Sequence, residues 1–189
     1  MKKWIFGLVG IIALGIGLSF LTLSMNTNKI VFDNETYELQ YSAKTDFGYI
    51  NEYVRANETV YNYEKMITVM GYNNLSSNVS ERQLLETLYS GTQSDKYVNL
   101  YTYQPENLII SNSFSGQGFI EYTAYKIKKL DNNKLTTMHF TQKYRVKNVA
   151  ELVTGLSAKI RENDKKYVKL LNSTPIPNVI KTELDQGKK

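Results

Sequence analysis

Phe119–Leu130 and Leu135–Val146 are two long runs of aromatic, branched and alternating polar residues, separated only by Asp131-Asn132-Asn133-Lys134. Turn-forming residues between two strand-forming runs dictate a long antiparallel hairpin. A hairpin alone is marginal in water, so this one must be completed by further strands or a helix. Pairing Leu130 with Leu135 sets Tyr125 opposite Phe140 and Ile127 opposite Met138. One face then carries Phe119, Tyr125, Ile127, Met138, Phe140, Tyr144 and Val146, with Glu121 intruding. The other carries Tyr122, Lys126, Lys128, His139, Lys143 and Arg145. Side chains alternate with a period of two, so a one-residue slip in the turn would redistribute both faces.

The remaining sequence supplies the partners. Lys29–Ser42 alternates around Asp33-Asn34 and reads as a hairpin in which Ile30 and Phe32 meet Tyr37, Leu39 and Tyr41. A strand through Tyr49, Asn51 and Tyr53 follows, then a loop at 56–59 and a strand over Met66–Met70. Ser80 and Gln83 have capping-box spacing before Leu84, Leu85 and Leu88, predicting a short helix that Gly91 ends. Strands at 96–103 and 107–114 lead into the long hairpin. Asn148 and Glu151 cap a second, amphipathic helix whose apolar positions include Val149, Leu152, Leu156, Ile160, Tyr167 and Leu170. Pro175 and Pro177 stop it. The expected fold is α+β, a mostly antiparallel sheet covered by a long C-terminal helix and a short central one. It forms one domain over residues 28–172, followed by a solvated tail over 173–189.

Ahead of this domain, Lys2 and Lys3 precede an uncharged apolar run, Trp4–Met25, of 22 residues. As a helix it would extend about 33 Å, enough for a hydrocarbon core of roughly 30 Å. Residues 1–27 are therefore expected to be a signal anchor, with the N-terminus inside and the domain outside the cytoplasmic membrane. Cleavage after Ser24, leaving a secreted or periplasmic protein, is the alternative.

Composition removes many chemistries. The chain has no cysteine, so it has no disulfide framework, lipid-modified cysteine, thiol nucleophile or thiolate metal site. With a single histidine, His139, the usual zinc, haem and Ser-His-Asp sites are excluded as well, and no cofactor is expected. His139 is expected on a solvated strand face opposite Lys126, whose charge would lower its proton affinity. Setting aside Lys2 and Lys3 from the 23 basic residues leaves 21 against 18 acidic ones, too even a balance for a nucleic-acid partner. Asp46, Glu52, Glu58 and Glu64 cluster in sequence, and paired carboxylates suffice for a hydrolase, but their spacing fits ordinary strand and loop positions. Glu121 is expected to pair with a tyrosine hydroxyl or an arginine. Two surfaces remain as candidates for binding. One is the basic face of Tyr122, Lys126, Lys128, Lys143 and Arg145. The other is the loop region carrying Arg55, Glu58 and Tyr63, although the shared parity of Tyr61, Tyr63, Tyr97, Tyr101 and Tyr103 reads as a core layer.

The segment EYVRANETVYNYEKMITV, residues 52–69, resembles a stretch of small exported bacterial proteins with the Mog1/PsbP-like α/β/α sandwich. In that pattern glycine stands at Asn57 and tryptophan at Tyr63. The resemblance implies an accessory or binding role without catalysis, and brings no catalytic residue. The expected function is a membrane-anchored extracytoplasmic accessory or binding module with an envelope protein as partner. The alternatives are an interaction subunit of a bacterial secretion or conjugation machine and, further off, a carboxylate hydrolase.

Overall fold

The computed structural model describes residues 28–73, 79–95, 97–116, 118–130, 134–146 and 155–185. Among the described residues nine strands form one antiparallel sheet: β1 (Lys29–Phe32), β2 (Glu35–Thr45), β3 (Gly48–Val54), β4 (Lys65–Tyr72), β5 (Val98–Gln104), β6 (Ile109–Gly116), β7 (Phe119–Leu130), β8 (Lys134–Arg145) and β9 (Leu184–Asp185). Two helices occur among the described residues, α1 (Glu81–Ser94) and α2 (Ser157–Ser173). The strand order is β1-β2-β3-β4-β8-β7-β6-β5, with β9 on β2. Two four-stranded meanders are thus joined where β4 meets β8.

The α+β reading is overturned. Strand accounts for 52% of the described residues against 24% helix, and the sheet curls into a half-barrel instead of lying as a layer under helices. The curl can be read from one contact. β1 and β8 are separated by three strands, which in a flat sheet would put them about 19 Å apart. Yet the Phe32 and Phe140 rings stack at 4.8 Å. Tyr167 of α2 closes on both, at 6.3 Å from Phe32 and 4.4 Å from Phe140. A register shift between Leu39 and Tyr41 bends β2, as an extra residue does in a twisted ladder. That shift also turns Ser42 inward in place of Tyr41: Ser42 is buried and Tyr41 is not.

Local signals in the sequence explain several elements. Asp33 and Asn34 both take positive φ, 53° and 61°, and Phe32 pairs with Glu35, so the first hairpin closes through a two-residue mirror-image turn. Ser80 and Gln83 form the capping box, but α1 runs past Gly91 to Ser94. Gly48, at φ 155°, ends the second turn where a Cβ would collide with the Gly71 carbonyl. The proposed span Trp4–Met25, the Asp131–Asn133 turn, and the Asn148 and Glu151 caps lie outside the described residues. No helix among those described is long and apolar enough to cross a membrane.

The long hairpin is paired one residue away from the expected register. Leu130 faces Lys134, Ala124 faces Phe140 and Tyr125 faces His139. The concave face therefore takes Ile120, Tyr122, Ala124, Met138, Phe140 and Tyr144 into the large core around α2. The opposite face gives Ile127, Leu135 and Tyr125 to a second core with Leu85 of α1. Asp164, buried in α2, receives hydrogen bonds from Thr102, Ser111 and Tyr122, and so ties the helix to three strands. The expected solvated tail is also corrected. Ile176, Val179, Ile180 and Leu184 lie against the large core, and β9 pairs with Tyr41 and Ser42.

Candidate functional site

Beyond β3 the chain makes a loop over residues 55–64 that is held by its own polar groups. The Glu58 amide donates to the Arg55 carbonyl at 2.9 Å, and Thr59 and Asn62 exchange backbone bonds. The Arg55 guanidinium is the centre of the loop. It donates to Glu58 through Nε at 3.0 Å, to Glu64 through Nη2 at 3.0 Å and to Glu35 through Nη1 at 3.2 Å. Lys65 adds a 2.7 Å bond to Glu35. Burial by itself would raise the Glu58 carboxyl. Hydrogen bonds from Arg55 and from the Glu64 and Lys65 amides outweigh it and hold the group below the usual carboxylate range. Hydrogen bonds to the Glu58 carboxylate, then to Glu64 and Glu35, outweigh burial and raise Arg55 further above its ordinary value.

This loop forms one wall of a cleft of about 880 Å³, completed by Gly118 and Phe119, by the end of β8 from Gln142 to Arg145, and by Leu156 and Lys159. The β8 wall is fastened by the Lys143 amide, which donates to the Glu64 carbonyl at 2.8 Å. Inside, the Tyr63 hydroxyl donates to Glu121 at 3.1 Å, and the Lys143 ammonium lies 3.7 Å above the Tyr63 ring and 3.5 Å from Glu121. Burial, then the Glu121 charge, pushes the Tyr63 phenol well above its ordinary value. Tyr61 stands at the mouth, 60% exposed. Exposed Arg145 and Lys159 have no ion pair among the described residues. The surface of the site is therefore rings and ammonium or guanidinium groups beside Glu64, which is paired with Arg55 but keeps its outer edge exposed.

Of the residues expected at a binding surface, Glu58, Tyr63, Lys143 and Arg145 line this cleft, and Arg55 braces it from behind. The expected basic face does not exist. The one-residue shift in β7–β8 pairing leaves Lys143 and Arg145 on one side, with Tyr122, Lys126 and Lys128 on the other. Tyr122 is fully buried against Asp164. Lys126 is spent at the end of α2, donating to the carbonyls of Leu171, Asn172 and Thr174 at 3.1, 2.7 and 2.8 Å. Lys128 is exposed and away from the cleft. Glu121 has the tyrosine partner expected for it. Tyr61 and Tyr97 are exposed, not core. His139 is not on a solvated face: its ring lies 4.5 Å from that of Tyr125 and its Nε2 is 2.7 Å from Thr137 Oγ1. Burial, not Lys126, pulls its pKa down to about 4. Tyr61, Phe119 and Lys159 also line the cleft. Phe119 and Lys159 come from distant elements, and Tyr61 lies in a loop, where strand parity does not place a ring in the core.

Among the acids that cluster in sequence, Glu58 and Glu64 converge on one guanidinium, while Glu52 lies on β3, where burial raises its pKa and its charge acts on Tyr63. Among the described residues no group of three or more His, Asp or Glu side chains is placed to hold a metal ion.

Residues 26–176 match the model of a family of uncharacterised proteins, and the chain belongs to that family. No curated protein and no solved structure matches it. The Mog1/PsbP-like resemblance gains no support from these comparisons.

Proposed function

We propose that the chain is an extracytoplasmic binding module, held at the membrane by its N-terminal apolar run, that grips an envelope protein partner through the cleft and performs no catalytic step. The observation that carries this reading is the disposition of charge and rings in the cleft. Arg55 and Lys65 pair with Glu35, Glu58 and Glu64, and Lys143 with Glu121, so the rim cations without a carboxylate partner among the described residues are Arg145 and Lys159, beside Tyr61 and the outer edge of Glu64. Tyrosine and arginine at a rim give large contact area with directional donors, the chemistry enriched at protein interfaces. The complementary partner surface is acidic and able to accept hydrogen bonds.

The test is a photocrosslinking amino acid at Tyr61 in the full-length chain, in its own membranes, followed by mass spectrometry. A discrete partner is expected, and Arg145→Glu with Lys159→Glu should abolish its capture without lowering the melting temperature. Capture that persists in the double variant overturns the reading. Recovery of several envelope proteins in fixed ratio would make the chain an interaction subunit of a larger machine.

A further inference from the structure

A second site lies at the other end of β3 and β4 from the cleft. There the concave face carries three small or polar residues, Ser42, Asn51 and Gly71, next to the apolar Tyr53, Ile67 and Val69. Asn51 is fully buried. Its Nδ2 donates to the Ile180 carbonyl at 2.9 Å and to Ser42 Oγ at 2.8 Å, and its Oδ1 accepts from the Ile180 amide at 2.6 Å. The Ser42 hydroxyl adds a 3.2 Å bond to the same carbonyl. A side-chain amide that satisfies both the N–H and the C=O of one residue behaves as a neighbouring strand would, and reads extended backbone without reading the side chain.

Selectivity comes from what flanks that clamp. Val179 sits over Gly71 so closely that a Cβ there would lie 2.9 Å from its Cγ2. Ile176, Ile180 and Leu184 are half-buried beside it, and β9 adds only a two-residue ladder on Tyr41 and Ser42. The groove therefore belongs to β2, β3 and β4, within the residues shared with the family. Val179, Ile180 and Leu184, which fill it, follow the last family-matched residue, 176.

We infer that this groove is a binding site for an extended peptide with adjacent branched aliphatic residues, a partner segment whose place the chain's own residues 177–185 take in cis. The reading is independent of the cleft. Thr174 leaves α2 in extended geometry, and Pro175 and Pro177 cannot continue the helix, so the tail can leave the clamp without unwinding α2.

The experiment uses the full chain as Val179→Asp with Ile180→Asp, which ejects the tail, and a fluorescent peptide of residues 174–185 in wild-type sequence. The ejected variant should bind the peptide, and the wild type at least about tenfold more weakly because its tail competes in cis. A peptide N-methylated at Ile180, unable to donate to Asn51, should not bind. The inference is overturned if the folded variant ignores the peptide, if both chains bind it equally, or if N-methylation has no effect. It is equally overturned if the variant unfolds, since the tail would then be an inseparable part of the core.

Discussion

His139 should make the protein lose stability in mild acid. Its ring is partly buried on the strand face against Tyr125, and burial lowers its pKa from 6.5 to about 4. The native state therefore keeps it neutral where the unfolded chain binds a proton. Stability due to the neutral ring is complete above about pH 6.5, is lost as pH falls toward about 4, and changes no further below that. At 1.36 kcal/mol per pKa unit the whole window is worth roughly 3 kcal/mol, of which about 2 kcal/mol is lost between pH 7 and about pH 4.5. The assay is urea denaturation at those two pH values for the wild type and for His139→Phe, which keeps a ring beside Tyr125. Every carboxylate is common to both proteins, so their acid response cancels and the difference in slope isolates the imidazole. Equal pH dependence in the two proteins, or an imidazole NMR titration centred near 6.5, would refute the reasoning.

Three further outcomes follow from particular contacts. Asp164→Ala should cost about 3 kcal/mol in chemical denaturation, because three hydroxyls from β5, β6 and β7 lose a buried acceptor; a loss under about 1 kcal/mol contradicts the proposed tie. Lys126→Met should cost about 1–2 kcal/mol and raise amide exchange in the last turn of α2, since three terminal carbonyls lose their donor. Tyr53→Phe should leave the melting temperature unchanged or raise it, because the buried Tyr53 hydroxyl has no hydrogen-bond partner among the described residues. A marked drop would reveal a partner for that oxygen.

What could be read in the chain was what depends on near neighbours. Asp33-Asn34 fixed a turn because short polar side chains tolerate positive φ, and Ser80 with Gln83 fixed a helix start because both partners lie within one turn. The strands over 48–54, 65–72 and 119–130 were legible for the same reason: branched and aromatic residues recur within a few positions. Register was not, since Leu130 facing Lys134 or Leu135 are alternatives separated by one residue, and alternation looks the same in both. That shift is what split the expected basic face and buried Tyr122. Part of the cleft was legible, because Arg55, Glu58 and Tyr63 are neighbours along the chain and Lys143 and Arg145 are polar-face cations of one strand, but Phe119 and Lys159 reach it only through the pairing of β7 with β8 and the seating of α2.

By itself, then, the sequence determined the absence of thiol chemistry, the supply of strands and the places where the chain must turn, all properties of composition or of a few adjacent residues. Tertiary structure alone decided the curl that brings Phe32 onto Phe140, the gathering of cations and rings around the 55–64 loop, and the clamp of Asn51 on Ile180. Those depend on contacts between residues far apart in the chain, whose closure is rewarded only once the whole sheet has formed.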